Sequence, residues 1–159
     1  DCPLYWISVI YLNFAEAKAE MGSLTQDDLN NSINKLQARA GLAAMTTTPD
    51  ADPANNMGVS NLIWEIRRCR RCELIMDNWY RYWDLIRWHQ LDKLDSTKYP
   101  NTMLGANVSN VPDCEEATKN GYIDASDAQI RTYEAKHYFY PIPTTQLTLN
   151  KNMKQNPGW

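Results

Sequence analysis

Apolar residues fill most positions between Leu4 and Leu12, with Trp6, Ile7, Val9 and Ile10 among them and Phe14 just beyond. This spacing predicts a helix over Leu4–Met21 that is apolar nearly all round for its first three turns. Such a helix has to be covered on more than one side. Pro3 suits its first turn, where the missing N–H costs nothing, and Gly22 suits the position just past its end. Thr25, followed three residues later by Asp28, reads as a capping box. Leu29, Ile33, Leu36 and Ala40 then form one stripe, which predicts a second, amphipathic helix stopping at Gly41. Residues 42–59 are rich in Thr, Pro, Asp and Asn and read as an irregular surface loop. Ser60 can cap a third helix. Within it Leu62, Ile66, Cys69, Cys72 and Met76 step by four and three, leaving the arginines off the stripe. Asp77-Asn78 favours a turn, and a short helix from Trp79 to Trp88 follows.

Beyond Leu94 periodicity is lost. Residues 95–121 contain Pro100, Gly105, Asn107, Asn110, Pro112 and Gly121 and are expected to be loop-dominated, with at most short elements. Ala128 to Lys136 fits either a short helix or a strand. His137 to Pro143 is expected to be extended, because each proline pushes the preceding residue out of the helical region. Thr144-Thr145 can cap one turn running to Leu149. The chain closes on a turn signal, Gln155-Asn-Pro-Gly, and Trp159 reads as an aromatic anchor packed onto the body.

Helix, short glycine turn and helix over about forty residues is the size of one helical-repeat unit. One unit cannot bury both faces, and arrays need roughly three. No second copy is present in these residues. The apolar first helix therefore leads us to expect a longer native chain whose earlier helices cover Trp6, Ile10 and Phe14.

Charge and composition narrow the chemistry. Sixteen Lys and Arg against nineteen Asp and Glu give a net charge of −3, which argues against a general binder of phosphate backbones. Yet Arg67, Arg68, Arg70 and Arg71 crowd into five residues, followed by Trp79, Tyr80, Tyr82, Trp83 and Trp88 around Arg81, Asp84 and Arg87. Two readings compete for this segment: a scaffold, or an aromatic and cationic binding face. Helical spacing favours the scaffold, and Glu65–Arg68 and Arg70–Glu73 offer in-helix pairs at three-residue spacing. Cys69-x-x-Cys72 is the only close cysteine pair. It lacks the second pair or histidines of a zinc site, and its flanks are helical, unlike a thioredoxin motif. Both cysteines read as small apolar residues on a packed face, while Cys2 and Cys114 are too sparse for a stapled scaffold. Asp50 and Asp52 lack the further carboxylates of a calcium loop. There is no nucleophile–base motif, metal spacing or phosphate loop, so no catalytic residue, metal site or cofactor is assigned.

Four stretches resemble a known family in their order: LNFAEAKAEMG at Leu12–Gly22, INKLQARAGL at Ile33–Leu42, IRRCRRCELIMDNWYRYWDLIRW at Ile66–Trp88, and YFYPIPTTQLTLNKNMKQNPGW at Tyr138–Trp159. Together they are similar to the C-terminal portion of the SusD/RagB family of outer-membrane nutrient-binding lipoproteins. The resemblance covers most of the chain apart from the loops 43–59 and 95–127. The chain departs from the family pattern at Cys69, where a glutamate is usual, at Asp77-Asn78 in place of Glu-Gly, and at Trp6 and Val9, where an Arg and a Glu are usual.

The resemblance implies a mainly α fold of tetratricopeptide-like helix pairs followed by a loop-rich C-terminal region, as a fragment of a longer chain. On this reading residues 1–159 form one SusD/RagB-like region: a repeat-type helix pair at 1–42, an Arg/Trp-rich helix pair at 60–94, and a loop-rich tail at 95–159 packed on the body. It further implies a non-catalytic cell-surface glycan-binding protein. Its partners would be a SusC-like TonB-dependent transporter and an oligosaccharide or polysaccharide ligand. Contact with the membrane would come only through an upstream lipid anchor, and no nucleic acid would bind. Capture of peptides, or an RNA-binding helical scaffold, are the alternatives. No ligand residue carries over by motif. Trp64, Tyr99 and Tyr122, in or beside loops, are the aromatic candidates for ligand contact.

Overall fold

A computed structural model describes residues 6–76, 80–112, 118–124 and 129–159. Cys2, Pro3, Leu4, Asp77, Asn78, Trp79, Cys114 and Ala128, which carried some of the expectations above, lie outside the described residues. The chain is mainly helical and divides into two compact units, Asp1–Arg81 and Tyr82–Trp159.

The first unit holds α1 (Ile7–Glu20), α2 (Gln26–Asn30), α3 (Ile33–Arg39) and α4 (Asn61–Glu73). Ser8, Leu12, Ala15 and Glu16 form the buried side of α1, which packs on α3 and α4. Its opposite side, with Trp6, Ile7, Ile10 and Phe14, is exposed, so among the described residues this apolar helix is covered on one face only, short of the cover on more than one side that its pattern called for. Gly22 sits at φ +67. It lets the Gly22 and Ser23 N–H groups close back on the Ala19 and Lys18 carbonyls at 3.0 and 2.9 Å, and Gly41 ends α3 in the same way.

The capping box forms as predicted. Thr25 Oγ1 accepts from the Asp28 N–H at 3.1 Å, and Asp28 Oδ2 accepts from the Thr25 N–H at 2.9 Å. The second helix, however, is not continuous. Ser32 Oγ donates to the Asp28 carbonyl at 2.6 Å and Asn31 Nδ2 to that of Asp27 at 2.9 Å. These side chains compete for acceptors that a helical ladder would use, and the helix breaks into α2 and α3. Leu29, Ile33 and Leu36 are buried as the stripe required, but Ala40 is exposed.

Residues 42–59 contain no regular element, yet Met45 is buried there. Asn34 holds it from both sides, its Oδ1 accepting from the Met45 N–H at 2.7 Å and its Nδ2 donating to the Met45 carbonyl at 3.1 Å. Ser60 caps α4, its Oγ accepting from the Ile63 N–H. The core gathers Leu12, Ala15, Leu29, Ile33, Leu36, Met45, Ile66 and Leu74, with Leu62, Cys69 and Tyr80 packed against it. The predicted stripe on α4 holds at Leu62, Ile66 and Cys69 and fails beyond. The helix ends at Glu73, so Leu74 turns inward, Cys72 is exposed, and Met76 is fully exposed at φ +65.

A further helix, α5 (Tyr80–Arg87), leads into the second unit. There, 3₁₀ turns cover Leu91–Leu94, Pro100–Met103 and Ala135–Tyr138. Three short strands, β1 (Leu104–Asn107), β2 (Thr118–Lys119) and β3 (Tyr122–Asp124), form an antiparallel sheet in the order β1-β3-β2. The stretch before Lys136 is neither a longer helix nor a strand. His137 and Tyr138 belong to a 3₁₀ turn, so the extended run expected from His137 begins at Phe139. Glu134 and His137 close that turn reciprocally, each side chain accepting from the other's N–H. The last helix, α6 (Thr144–Leu149), starts from Pro143 without a side-chain cap, so neither Thr144 nor Thr145 caps it. Trp159 is tied to the turn at Ala135–Tyr138 and not packed into a core: it is 46% exposed, its Nε1 donating to the carbonyls of Phe139 at 3.0 Å and Lys136 at 3.2 Å.

Ile66 is fully buried at the centre of the first unit, whereas Met76 projects into solvent. Ile66→Ala is expected to cost about 2–5 kcal/mol of unfolding free energy, and Met76→Ala less than about 0.5 kcal/mol, in urea titrations followed by circular dichroism. Equal costs would place the core elsewhere.

Candidate functional site

The arginine run is the first place to look for a site, and the side chains of Arg67, Arg68 and Arg70 are committed within the first unit, while Arg71 is exposed. Arg67 Nε donates to Glu16 Oε1 at 2.9 Å and its Nη2 to Glu20 Oε1 at 3.1 Å. Arg70 is buried; its Nη1 donates to Asn13 Oδ1 at 2.9 Å and its guanidinium lies 5.8 Å from the Tyr80 ring centre. Arg68 pairs with Glu65 inside α4, as the spacing predicted. The other predicted pair does not form. Glu73 takes Arg39 of α3, whose Nη2 reaches both carboxylate oxygens at 2.6 and 2.7 Å. Arg70 points instead into the α1 interface, so Arg67 and Arg70 lie on the packed side of α4 and not off it.

The same holds for the cysteine motif and the nearest aromatic. Cys69 is half-buried beside Gln37, whose Nε2 lies 3.7 Å from its Sγ, and burial pushes its thiol up to about 11. A thiol held protonated in this way is a poor nucleophile and a poor metal ligand. Within α5, the buried Asp84 accepts from Arg87 Nε at 3.1 Å, and Arg87 lies 4.8 Å over the Trp88 ring.

The second unit holds a cleft of about 300 Å³ lined by Tyr82, Leu91, Leu94, Arg131, Thr132, Tyr133 and His137. Its volume is at the lower end of the range for small-molecule sites, about 300–1,000 Å³. The rings around it are fixed by their neighbours. Tyr133 meets Tyr138 edge-on at 5.6 Å and His137 at 6.2 Å. His137 meets Trp159 at 5.8 Å, and Tyr138 packs on His89 at 4.9 Å. The Tyr82 and Tyr140 hydroxyls are 3.4 Å apart, a contact that raises the Tyr82 phenol. Burial, then a hydrogen bond with Tyr138, pushes the Tyr133 phenol up to about 12. It therefore stays a neutral donor and acceptor at any physiological pH. His137 Nδ1 accepts from the Glu134 N–H at 2.9 Å, which leaves Nε2 as the protonated nitrogen of the neutral ring.

One carboxylate ties this cleft together. Asp95 is 4% exposed; its Oδ1 accepts from the Thr97 N–H at 2.9 Å and its Oδ2 from the Tyr133 N–H at 3.2 Å. Beside it, the Ser96 N–H donates to the Arg131 carbonyl at 2.9 Å, and the Arg131 N–H to Ser96 Oγ at 3.0 Å. The Thr97 hydroxyl, then the Tyr133 N–H, hold the Asp95 carboxyl down at about 2.

The family model described as the SusD family matches residues 1–159. The chain belongs to the SusD family. Among solved structures it is similar to BT4246, a SusD-like Bacteroides protein. A selenomethionine form of BT4246 is 25% identical with a TM-score of 0.63, over 98% of this chain and 24% of that one. A second BT4246 structure gives 24% identity and a TM-score of 0.62, over 98% and 23%. The chain thus spans about a quarter of the length of the structures it matches. No curated protein matches it by sequence.

In this SusD-family chain none of the three aromatic candidates lines the cleft. Trp64 is half-buried on α4, its Nε1 donating to Asp52 Oδ2 at 3.1 Å. That bond and the Ala54 N–H hold the Asp52 carboxyl below its usual range. Tyr99 is partly exposed under the Lys93 ammonium at 5.6 Å, and Tyr122 lies on β3 opposite Asn107 and Lys119. The cleft residues Tyr82, Arg131, Tyr133 and His137 were not singled out from the sequence. The aromatic density from Tyr133 to Tyr140 was the available signal, but nothing in it points to residues 91–95.

Glu16 is 3% exposed and Arg67 11%, whereas Arg68 is 52% exposed. Arg67→Met is therefore expected to cost about 3–5 kcal/mol, because it takes a directed cationic partner from a buried carboxylate. Arg68→Ala should cost less than about 1 kcal/mol, and urea titrations that rank the two the other way would refute the packing described. Asp95 sets a pH dependence. Its folded value lies below the ordinary 3.8, so its contribution is complete above about pH 4 and is lost as pH falls towards about 2. Hydrogen-exchange protection at Tyr133 should decline across that window, and should already be low at neutral pH in Asp95→Ala. Protection unchanged by either would remove Asp95 as the clamp.

Proposed function

We propose that this chain is the C-terminal part of a non-catalytic, cell-surface nutrient-binding protein that captures oligosaccharides and delivers them to a SusC-like TonB-dependent transporter. The observation that carries this reading is the SusD-family match over all 159 residues. The exposed apolar side of α1, with Trp6, Ile10 and Phe14, is consistent with further helices of the repeat type stacking on it. An upstream lipid anchor in the outer leaflet completes the reading; no described helix is long and apolar enough to cross a membrane. The RNA-binding alternative drew on the basic helix. It is weakened because Arg67, Arg68 and Arg70 are engaged by Glu16, Glu20, Glu65 and Asn13. Trp64, Tyr99 and Tyr122 remain proposed ligand contacts.

Calorimetric titration of the complete protein with panels of oligosaccharides and short peptides tests the proposal. Saturable binding of at least one oligosaccharide is expected, together with co-purification of a TonB-dependent transporter from membranes and no release of reducing sugar. Binding confined to peptides would replace glycan capture with peptide capture. Hydrolysis of the bound glycan would overturn the non-catalytic reading.

A further inference from the structure

We infer that the cleft between residues 91–94 and 131–137 is a subsite for a carboxylated sugar ring, such as a hexuronate unit of an acidic oligosaccharide. The inference rests on the nutrient-capture reading and narrows it to a ligand class. Three features of the cleft lead to it. Its volume, about 300 Å³, is enough for one or two sugar rings. Its walls combine apolar surface from Leu91 and Leu94 with the rings of Tyr82, Tyr133 and His137. Rings of this kind stack on the C–H faces of a pyranose, while the phenols and the imidazole N–H serve its hydroxyls. The third feature is a cation. Arg131 lines the same cleft, and its guanidinium has no acidic partner among the described residues, whereas Arg39, Arg67, Arg68 and Arg87 each have one.

An arginine beside stacked aromatics discriminates by charge as well as shape. A guanidinium binds a carboxylate through two parallel N–H···O bonds, and a neutral hydroxymethyl group in its place offers neither the charge nor the second acceptor. Positioning is supplied by the backbone of Arg131, which exchanges hydrogen bonds with Ser96, and by the Asp95 clamp on its near neighbour Tyr133. The guanidinium is therefore presented from a fixed base with its side chain left exposed. Two carboxylates lie near this cation: Asp95, bonded to the Tyr133 N–H, and Asp92, whose charge reaches the Tyr133 phenol; Asp92 is the one not engaged in the clamp. It is expected to temper, not abolish, anion binding.

The test is calorimetry on the complete protein with trigalacturonate, with galactotriose as the neutral counterpart, and with a tripeptide ending in glutamate. Wild type is expected to bind trigalacturonate more tightly than galactotriose. Arg131→Gln should weaken trigalacturonate roughly 10- to 100-fold while leaving galactotriose unchanged, and Asp92→Asn should strengthen trigalacturonate. The Arg131 side chain is exposed, so the substitution is expected to leave the circular dichroism melt unaltered, and that melt is measured alongside. Binding of both trisaccharides that is indifferent to Arg131 would overturn the subsite and leave glycan capture standing. Binding of the peptide alone, with Arg131 dependence, would overturn the sugar assignment. Failure of every sugar would remove glycan capture itself.

Discussion

Arg67 reaches from α4 to α1 with 11% of its side chain exposed, and meets Glu16, which is 3% exposed. Taking two charges this far out of water is costly, and their attraction offsets the cost only with good geometry and further hydrogen bonds. The geometry here is good on both counts. Arg67 engages Glu16 and Glu20, one turn apart on α1, and Arg70, three residues further along α4, engages Asn13. Moving up α4 therefore means moving down α1, so these contacts fix the two helices antiparallel and in one register. Leu12, Ala15 and Ile66 share the apolar core of the unit, but apolar packing is non-directional and fixes a register less sharply than a set of directed bonds does.

This division of labour explains how a basic run can sit in an acidic chain without being a binding face. The arginines that face inward are spent on α1, and Arg39 closes the far end of α4 by taking Glu73. It also gives a physical account of Cys69, at the position where the resemblance led us to expect a glutamate. The position is half-buried against the core, next to a neutral Gln37 amide. A carboxylate there would need a cation of its own, and a thiol, held protonated by burial, needs none.

Features that depend only on near neighbours are legible in the sequence itself. The Thr25–Asp28 box, the Ser60 cap, the glycine stops at Gly22 and Gly41 and the Glu65–Arg68 pair all depend on residues within one or two turns of each other. What escaped the sequence was competition. Ser32 and Asn31 take carbonyls from their own helix, and Glu73 chooses Arg39 over Arg70. The failure of the α4 stripe at Cys72 and Met76 has the same origin. Periodicity carries no information about where a helix stops being covered, and there a buried Leu74 replaces them.

The cleft was less legible because its parts lie far apart in sequence. Ser96 and Arg131 are 35 residues apart, and no periodic pattern announces that two irregular segments will pair. Such segments are expensive to order, since loop closure and backbone fixing have to be offset by contacts that helices make locally. Asp95 offers a compact solution. One buried carboxylate accepts from Thr97 on its own turn and from Tyr133 across the cleft, and so orders both walls with a single side chain. The arginine-rich helices that identify the family accordingly hold a scaffold in register, while chemistry able to differ between ligands is left to irregular segments hung on a few directed bonds. On the inference drawn for the cleft, a change of ligand class then asks for new residues at positions such as 131 and 137, and leaves the directed bonds between α1 and α4 as they are.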